Sequence, residues 1–157
     1  MKKNVSILGS TGSIGLNSLK IFSRKNKLFK INILAANKNY KLICNQIVKF
    51  KPKIFIINDL KVFNKVKKLF KKNKTLIINK IDFNKINIIK SDITIAGIPG
   101  IAGLYPTIKM IQSSKKILIA NKESIICGWR LIKKTAKKYK TKIVPVDSEH
   151  FSIMKLI

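Results

Sequence analysis

Acidic side chains are scarce in this sequence: six Asp and Glu stand against 34 Lys and Arg in 157 residues, a formal net charge of +28. Arginine is scarce too, since Arg24 and Arg130 are the only two. A dedicated nucleic-acid binder gathers its charge on one element and offers Arg forks or stacking aromatics to the bases. Here lysine is spread along the whole chain with Ile and Asn, a trio of A/T-rich codons, so genome composition explains it and no specific nucleic acid is expected as partner. Lys67-Lys68 and Lys71-Lys72, with Val66, Leu69 and Phe70 between them, predict the solvated face of an amphipathic helix. Cys44 and Cys127 are two cysteines without metal-type spacing, so reduced, buried thiols are expected. No apolar run approaches the roughly 20 residues that span a bilayer, and the first strand follows Met1 too closely for a leader peptide. A cytoplasmic, non-membrane protein is therefore expected.

No repeat and no Gly/Ser/Pro linker divides the chain, and 46% hydrophobic residues suit one packed domain. Strands are predicted at Asn4–Leu8, Phe29–Ala36, Ile54–Ile57, Thr75–Ile78, Asp92–Ala96, Lys116–Ala120 and Lys142–Val146. Helices are predicted after Gly15, over Tyr40–Lys51 and Leu60–Lys72, through Ile108 and Ile111, and after Asn121; Phe83–Lys90 is a weaker helical stretch. Alternating strands and helices imply an α/β fold: a Rossmann-like, doubly wound, mostly parallel sheet with helices on both faces.

Chemistry concentrates at strand ends. Gly9-Ser10-Thr11-Gly12-Ser13-Ile14-Gly15 joins the first strand to the first helix, where unpaired N–H groups and the helix dipole can receive a pyrophosphate. The second strand ends in Asn37-Lys38-Asn39, without the acid that usually holds the ribose hydroxyl of NAD; a cation and two amides suit the 2′-phosphate of NADP. After the fifth strand, Gly97-Ile98-Pro99-Gly100-Ile101-Ala102-Gly103 either lets backbone approach a cofactor or makes a tight loop. Asn121-Lys122-Glu123-Ser124 offers a cation and an acceptor, or a helix cap. Asp147-Ser148-Glu149-His150 presents two carboxylates one residue apart, suited to Mg²⁺ or Mn²⁺, or else begins a capped helix. Ser148 could hydrogen-bond substrate there, and His150 could move a proton.

Together, the glycine loop, Ala120-Asn121-Lys122-Glu123-Ser124 and Pro145-Val146-Asp147-Ser148-Glu149-His150 closely resemble the signatures of the 1-deoxy-D-xylulose 5-phosphate reductoisomerase family. Ala102-Gly103-Leu104 and Pro106-Thr107 fit the same resemblance. It implies that Thr11, Gly12, Ser13 and Ile14 line the NADPH pyrophosphate, and that Asn37, Lys38 and Asn39 flank the adenosine 2′-phosphate. The family usually has glycine at the position of Asn37. It implies further that Asn121 and Glu123 touch the nicotinamide half, that Lys122 and Ser148 bind the sugar phosphate, and that Asp147 and Glu149 hold Mg²⁺ or Mn²⁺. Lys122, Ser148 and Glu149 are then the catalytic set. The implied reaction is NADPH- and metal-dependent conversion of 1-deoxy-D-xylulose 5-phosphate to 2-C-methyl-D-erythritol 4-phosphate, in non-mevalonate isoprenoid biosynthesis, by a homodimer. Residues 1–146 are expected to form the NADPH-binding domain and 147–157 to begin a catalytic domain that is cut short. Such a chain is expected to bind NADPH and turn over negligibly. The competing readings are a semialdehyde-dehydrogenase-like enzyme, with Cys127 as its only candidate nucleophile, and a basic non-enzymatic binder.

Overall fold

In the computed structural model, residues 1–79 and 89–146 are described. The chain order is β1 (Lys3–Leu8), α1 (Ser13–Arg24), β2 (Phe29–Ala36), α2 (Tyr40–Phe50), β3 (Ile54–Ile57), α3 (Leu60–Leu69), β4 (Leu76–Asn79) and β5 (Ser91–Ala96). A 3₁₀ turn (Ile101–Gly103) then leads into α4 (Leu104–Ile111), β6 (Ser114–Ile119), α5 (Lys122–Tyr139) and β7 (Lys142–Pro145). The seven strands form one sheet in the order β4-β3-β2-β1-β5-β6-β7. Every pairing is parallel, so the sheet is wholly rather than mostly parallel among the described residues.

Two hydrophobic layers explain the continuous apolar runs of the central strands. Val5, Ile7, Leu34, Phe55 and Ile57 face a layer that includes Leu19 of α1, Ile43 and Ile47 of α2 and Val66 of α3. Leu8, Ile33, Ile56, Ile117 and Ile119 face the other, with Met110 and Ile111 of α4 and Ile132 and Ala136 of α5. The chain thus winds β1 to β4 with helices on one face, then crosses to β5 and winds outward with helices on the opposite face.

Boundaries differ from the sequence expectation where side chains intervene. Gly12 is the N-cap of α1, so the helix starts at Ser13 rather than beyond Gly15. Asn73 Oδ1 accepts from the Thr75 N–H at 2.9 Å, holding Thr75 in a turn and delaying β4 by one residue. Helix α2 stops at Phe50 because Lys51 turns left-handed (φ 45°) ahead of Pro52. The Phe83–Lys90 expectation falls mostly on 80–88, outside the described residues, as do Asp147, Ser148, Glu149 and His150. Neither thiol is fully buried: Cys44 packs at the margin of a core layer and is partly covered, and Cys127 is exposed.

One irregularity interrupts the sheet. Val5 pairs with Ile31 but Ser6 with Ile33, leaving Asn32 as an extra residue in β2. That bulge puts Ile31 in one core layer and Ile33 in the other, where strict alternation would have put both in one. Asn32 is buried and its Nδ2 donates to the Lys90 carbonyl at 3.4 Å.

Candidate functional site

The sheet order reverses direction between β1 and β5, the position at which open parallel sheets bind ligands beyond their carboxyl ends. The glycine loop lies there. Gly9 has φ +81°, and a Cβ on it would lie 2.6 Å from the Gly97 carbonyl oxygen. A Cβ on Gly15 would run into the Gly9 carbonyl and lie 2.6 Å from Ser10 Cα. These two glycines are demanded by the protein's own packing. Gly12 is different: its Cβ would meet only the Gly9 oxygen, at an ordinary 3.5 Å. The room beside Gly12 therefore serves nothing within the described residues.

Helix α1 begins without a side-chain cap. The Gly12 carbonyl accepts from Leu16 N–H at 2.9 Å, while the N–H groups of Ser13, Ile14 and Gly15 have no backbone partner among the described residues. The donors of the exposed Ser13 and Ile14 and the positive end of a helix dipole thus lie beside Thr11 and Gly12. The loop is held from beneath by a pair that sequence reasoning missed. Ser10 Oγ donates to Gln46 Oε1 at 2.7 Å, and Gln46 Nε2 donates to the Ser10 carbonyl at 2.9 Å, both buried. A lone polar residue on the buried face of the predicted α2 was the available signal.

Two adjoining clefts extend from this loop. One, of about 420 Å³, runs past Thr11, Gly12, Ala36, Asn37, Asn58 and Ile98. The other, of about 290 Å³, is lined by Gly12, Ser13, Ile14, Asn121, Lys122 and Glu123, among others. They share Gly12, Gly97 and Pro99, so the glycine loop sits between a chamber at the β2–β3 end and one at the start of α5. That is the layout a dinucleotide needs, with its pyrophosphate in the middle.

The predicted residues divide by the work their side chains already do. Thr11 to Ile14 and Asn37 line the clefts. Lys38 is exposed in the β2–α2 loop. Asn39 caps α2, its Oδ1 accepting from Leu42 N–H at 3.1 Å. Lys122 and Glu123 are exposed in the first turn of α5. Asn121 is buried and fully engaged: its Nδ2 donates to the carbonyls of Ile98 and Gly100, and its Oδ1 accepts from Ser124 N–H at 2.9 Å. It caps α5 and fastens the 97–103 loop, and Gly103 lacks a side chain where that amide passes. The 97–103 loop is tightly turned, and its Gly97, Ile98 and Pro99 line a cleft.

Among the described residues no group of three or more His, Cys, Asp or Glu could hold a metal. The expected ligands Asp147 and Glu149 lie outside them. Cys127 lies within α5 and lines neither cleft, and no described helix is long and apolar enough to cross a membrane.

Comparison with known proteins agrees with this geometry. The family model described as 1-deoxy-D-xylulose 5-phosphate reductoisomerase matches residues 5–128. The enzyme of that name from Pelagibacter ubique is 49% identical over 160 residues, covering 99% of this chain and 41% of the relative. That from Buchnera aphidicola subsp. Schizaphis graminum is 39% identical over 159 residues, covering 99% and 40%. Among solved structures, the Zymomonas mobilis reductoisomerase in complex with NADPH superposes with a TM-score of 0.87 at 30% identity, over 96% of this chain and 40% of that one. A reductoisomerase in complex with NADPH, fosmidomycin and magnesium also gives 0.87, at 29% identity, over 94% and 37%. The chain therefore spans about two fifths of the proteins it matches.

Proposed function

The chain belongs to the 1-deoxy-D-xylulose 5-phosphate reductoisomerase family, and from that premise we propose that it carries the NADPH-binding part of that enzyme. The whole reaction is the NADPH- and divalent-metal-dependent conversion of 1-deoxy-D-xylulose 5-phosphate to 2-C-methyl-D-erythritol 4-phosphate. Residues 1–146 form the cofactor domain, and 147–157 begin the part that holds metal and substrate. The complete enzyme is a cytoplasmic homodimer of the non-mevalonate pathway. The observation that carries this reading is the pair of clefts meeting at an uncapped helix start.

In it, the pyrophosphate accepts from the N–H groups of Ser13 and Ile14, beside Thr11 and in the room left by Gly12. Asn37, Lys38 and Asn39 receive the adenosine 2′-phosphate, Lys38 supplying the positive charge. The nicotinamide half lies toward Asn121 and Glu123, with Asn121 acting by holding the 97–103 loop in place. Lys122 and Ser148 bind and orient the sugar phosphate, and Asp147 and Glu149 provide hard oxygen ligands for Mg²⁺ or Mn²⁺. NADPH supplies the hydride, and the metal polarises the substrate's oxygens. Lys122, Ser148 and Glu149 fix the geometry of that encounter.

Titrating the chain with NADPH and NADH while following nucleotide fluorescence tests the reading. NADPH is expected to bind more tightly. Lys38→Glu is expected to weaken NADPH by at least about tenfold, the scale of a charge-assisted contact reversed in sign, and NADH by much less. Failure of NADPH to bind, or equal losses for both, would overturn it. With substrate and Mg²⁺ added, these 157 residues, about two fifths of the length of their relatives, are expected to show negligible NADPH oxidation.

A further inference from the structure

We propose that Asn58 is a positioning residue that sets the cofactor preference by orienting Asn37, a role that rests on the NADPH reading above. Three asparagines stand at the carboxyl ends of three neighbouring strands: Asn37 directly after β2, Asn58 directly after β3, and Asn79 as the last residue of β4. The strands are in register there, Ala36 opposite Ile57 and Ile57 opposite Asn79. Asn79 Nδ2 donates to the carbonyls of Ile57 at 2.8 Å and Asn58 at 3.1 Å. From the other side, the Asn58 N–H donates to the Ala36 carbonyl at 3.0 Å. The Asn58 backbone is thereby fixed on both flanks, and its Nδ2 donates to Asn37 Oδ1 at 3.3 Å.

The polarity of that contact has a chemical consequence. With its oxygen accepting from Asn58, Asn37 keeps its N–H donors without a partner among the described residues. Both residues line the larger cleft. A 2′-phosphate is an acceptor on every oxygen, so a donor beside Lys38 suits it. A ribose 2′-hydroxyl in an NAD site is instead held by a carboxylate that accepts a hydrogen bond from it. The neighbouring carboxylate, Asp59, is engaged elsewhere, its Oδ1 accepting from Val62 N–H at 2.8 Å as the cap of α3. The relay thus presents donors at the strand ends and keeps the nearest acid turned into a helix start.

The test is a double-mutant cycle on the full chain with Asn58→Ala, Asn37→Ala and the pair, reading the ratio of NADPH to NADH dissociation constants. Because Asn58 is exposed, removal of its side chain leaves the core intact, and the ratio cancels any common loss of folded protein. Asn58→Ala is expected to lower the preference for NADPH by about tenfold or more, the worth of one charge-assisted hydrogen bond. Asn37→Ala is expected to do the same, and the pair to do no more than either alone. An unchanged ratio in Asn58→Ala, or effects that multiply in the pair, would overturn the proposal while leaving NADPH binding standing. A parent chain that binds neither nucleotide, or both equally, would overturn the proposal together with the reading beneath it.

Discussion

Glycine at three positions of one loop serves two different masters. Gly9 and Gly15 answer to the fold, because a Cβ at either runs into backbone. Gly12 is free of that demand, and in the proposed reading it answers to the ligand. Gly12→Ala is therefore expected to keep its melting temperature within about 2 °C of the parent, since only an ordinary contact is added, and to lose NADPH affinity by about tenfold or more. Gly15→Ala is expected to cost about 2 kcal/mol or more, as overpacking against backbone does. Thermal unfolding beside nucleotide titration checks both; a Gly12→Ala variant that binds normally would remove the loop from the site. At this scale the sequence was legible where a residue type is unusual, as glycine is. It was not legible where an ordinary amide does the work. Gln46, Asn58 and Asn121 act through partners 36, 21 and 23 residues away, and no local pattern records such pairings.

The elements themselves were largely legible: each expected strand is present, and a strand buried along its length, as Ile54–Ile57 is, must be apolar throughout. The β2 bulge was not, since an Asn among Ile residues looks the same whether it is paired or extra. The opposite, amino end of the sheet is pinned by one charge cluster. Asp92 of β5 accepts from Asn4 N–H of β1 at 2.8 Å and pairs with Lys115 of β6 at 2.8 Å. The hydrogen bond from Lys115, then that from Asn4, holds the Asp92 carboxyl below its ordinary value. A carboxylate whose folded pKa is depressed adds stability that is complete above the unfolded value of about 3.9 and fades as pH falls through the folded value. Lys115 is solvent-exposed, so the pair is worth little beyond the backbone contact. Asp92→Asn is expected to destabilise by about 1 kcal/mol at pH 7 and by less below pH 3.5, measured by urea unfolding across that range. A loss that stayed constant with pH would show that charge at Asp92 is irrelevant.

For the molecule as a whole, ligand and fold are linked. The clefts draw on residues from β2, β3, the glycine loop, α4 and α5, so a nucleotide seated as proposed would bridge both halves of the sheet. At a hundredfold excess over its dissociation constant NADPH is expected to stabilise the chain by about 2.7 kcal/mol, read as a rise in melting temperature that NADH at the same concentration reproduces only in part. Equal shifts would argue against any role for the Asn37–Lys38–Asn39 end.

The sheet order also dictates a timetable. Strand β1 pairs with β2 on one side and with β5 on the other, and Ser6 meets Ser91, 85 residues further along, side chain to side chain at 2.6 Å. While the ribosome is still making the first half, β1 has one flank open, and Gly97, which walls both clefts, does not yet exist. Such distant pairings form late and slowly. A nucleotide whose site needs Gly97 is therefore expected to capture a sheet that has already closed around its oldest strand.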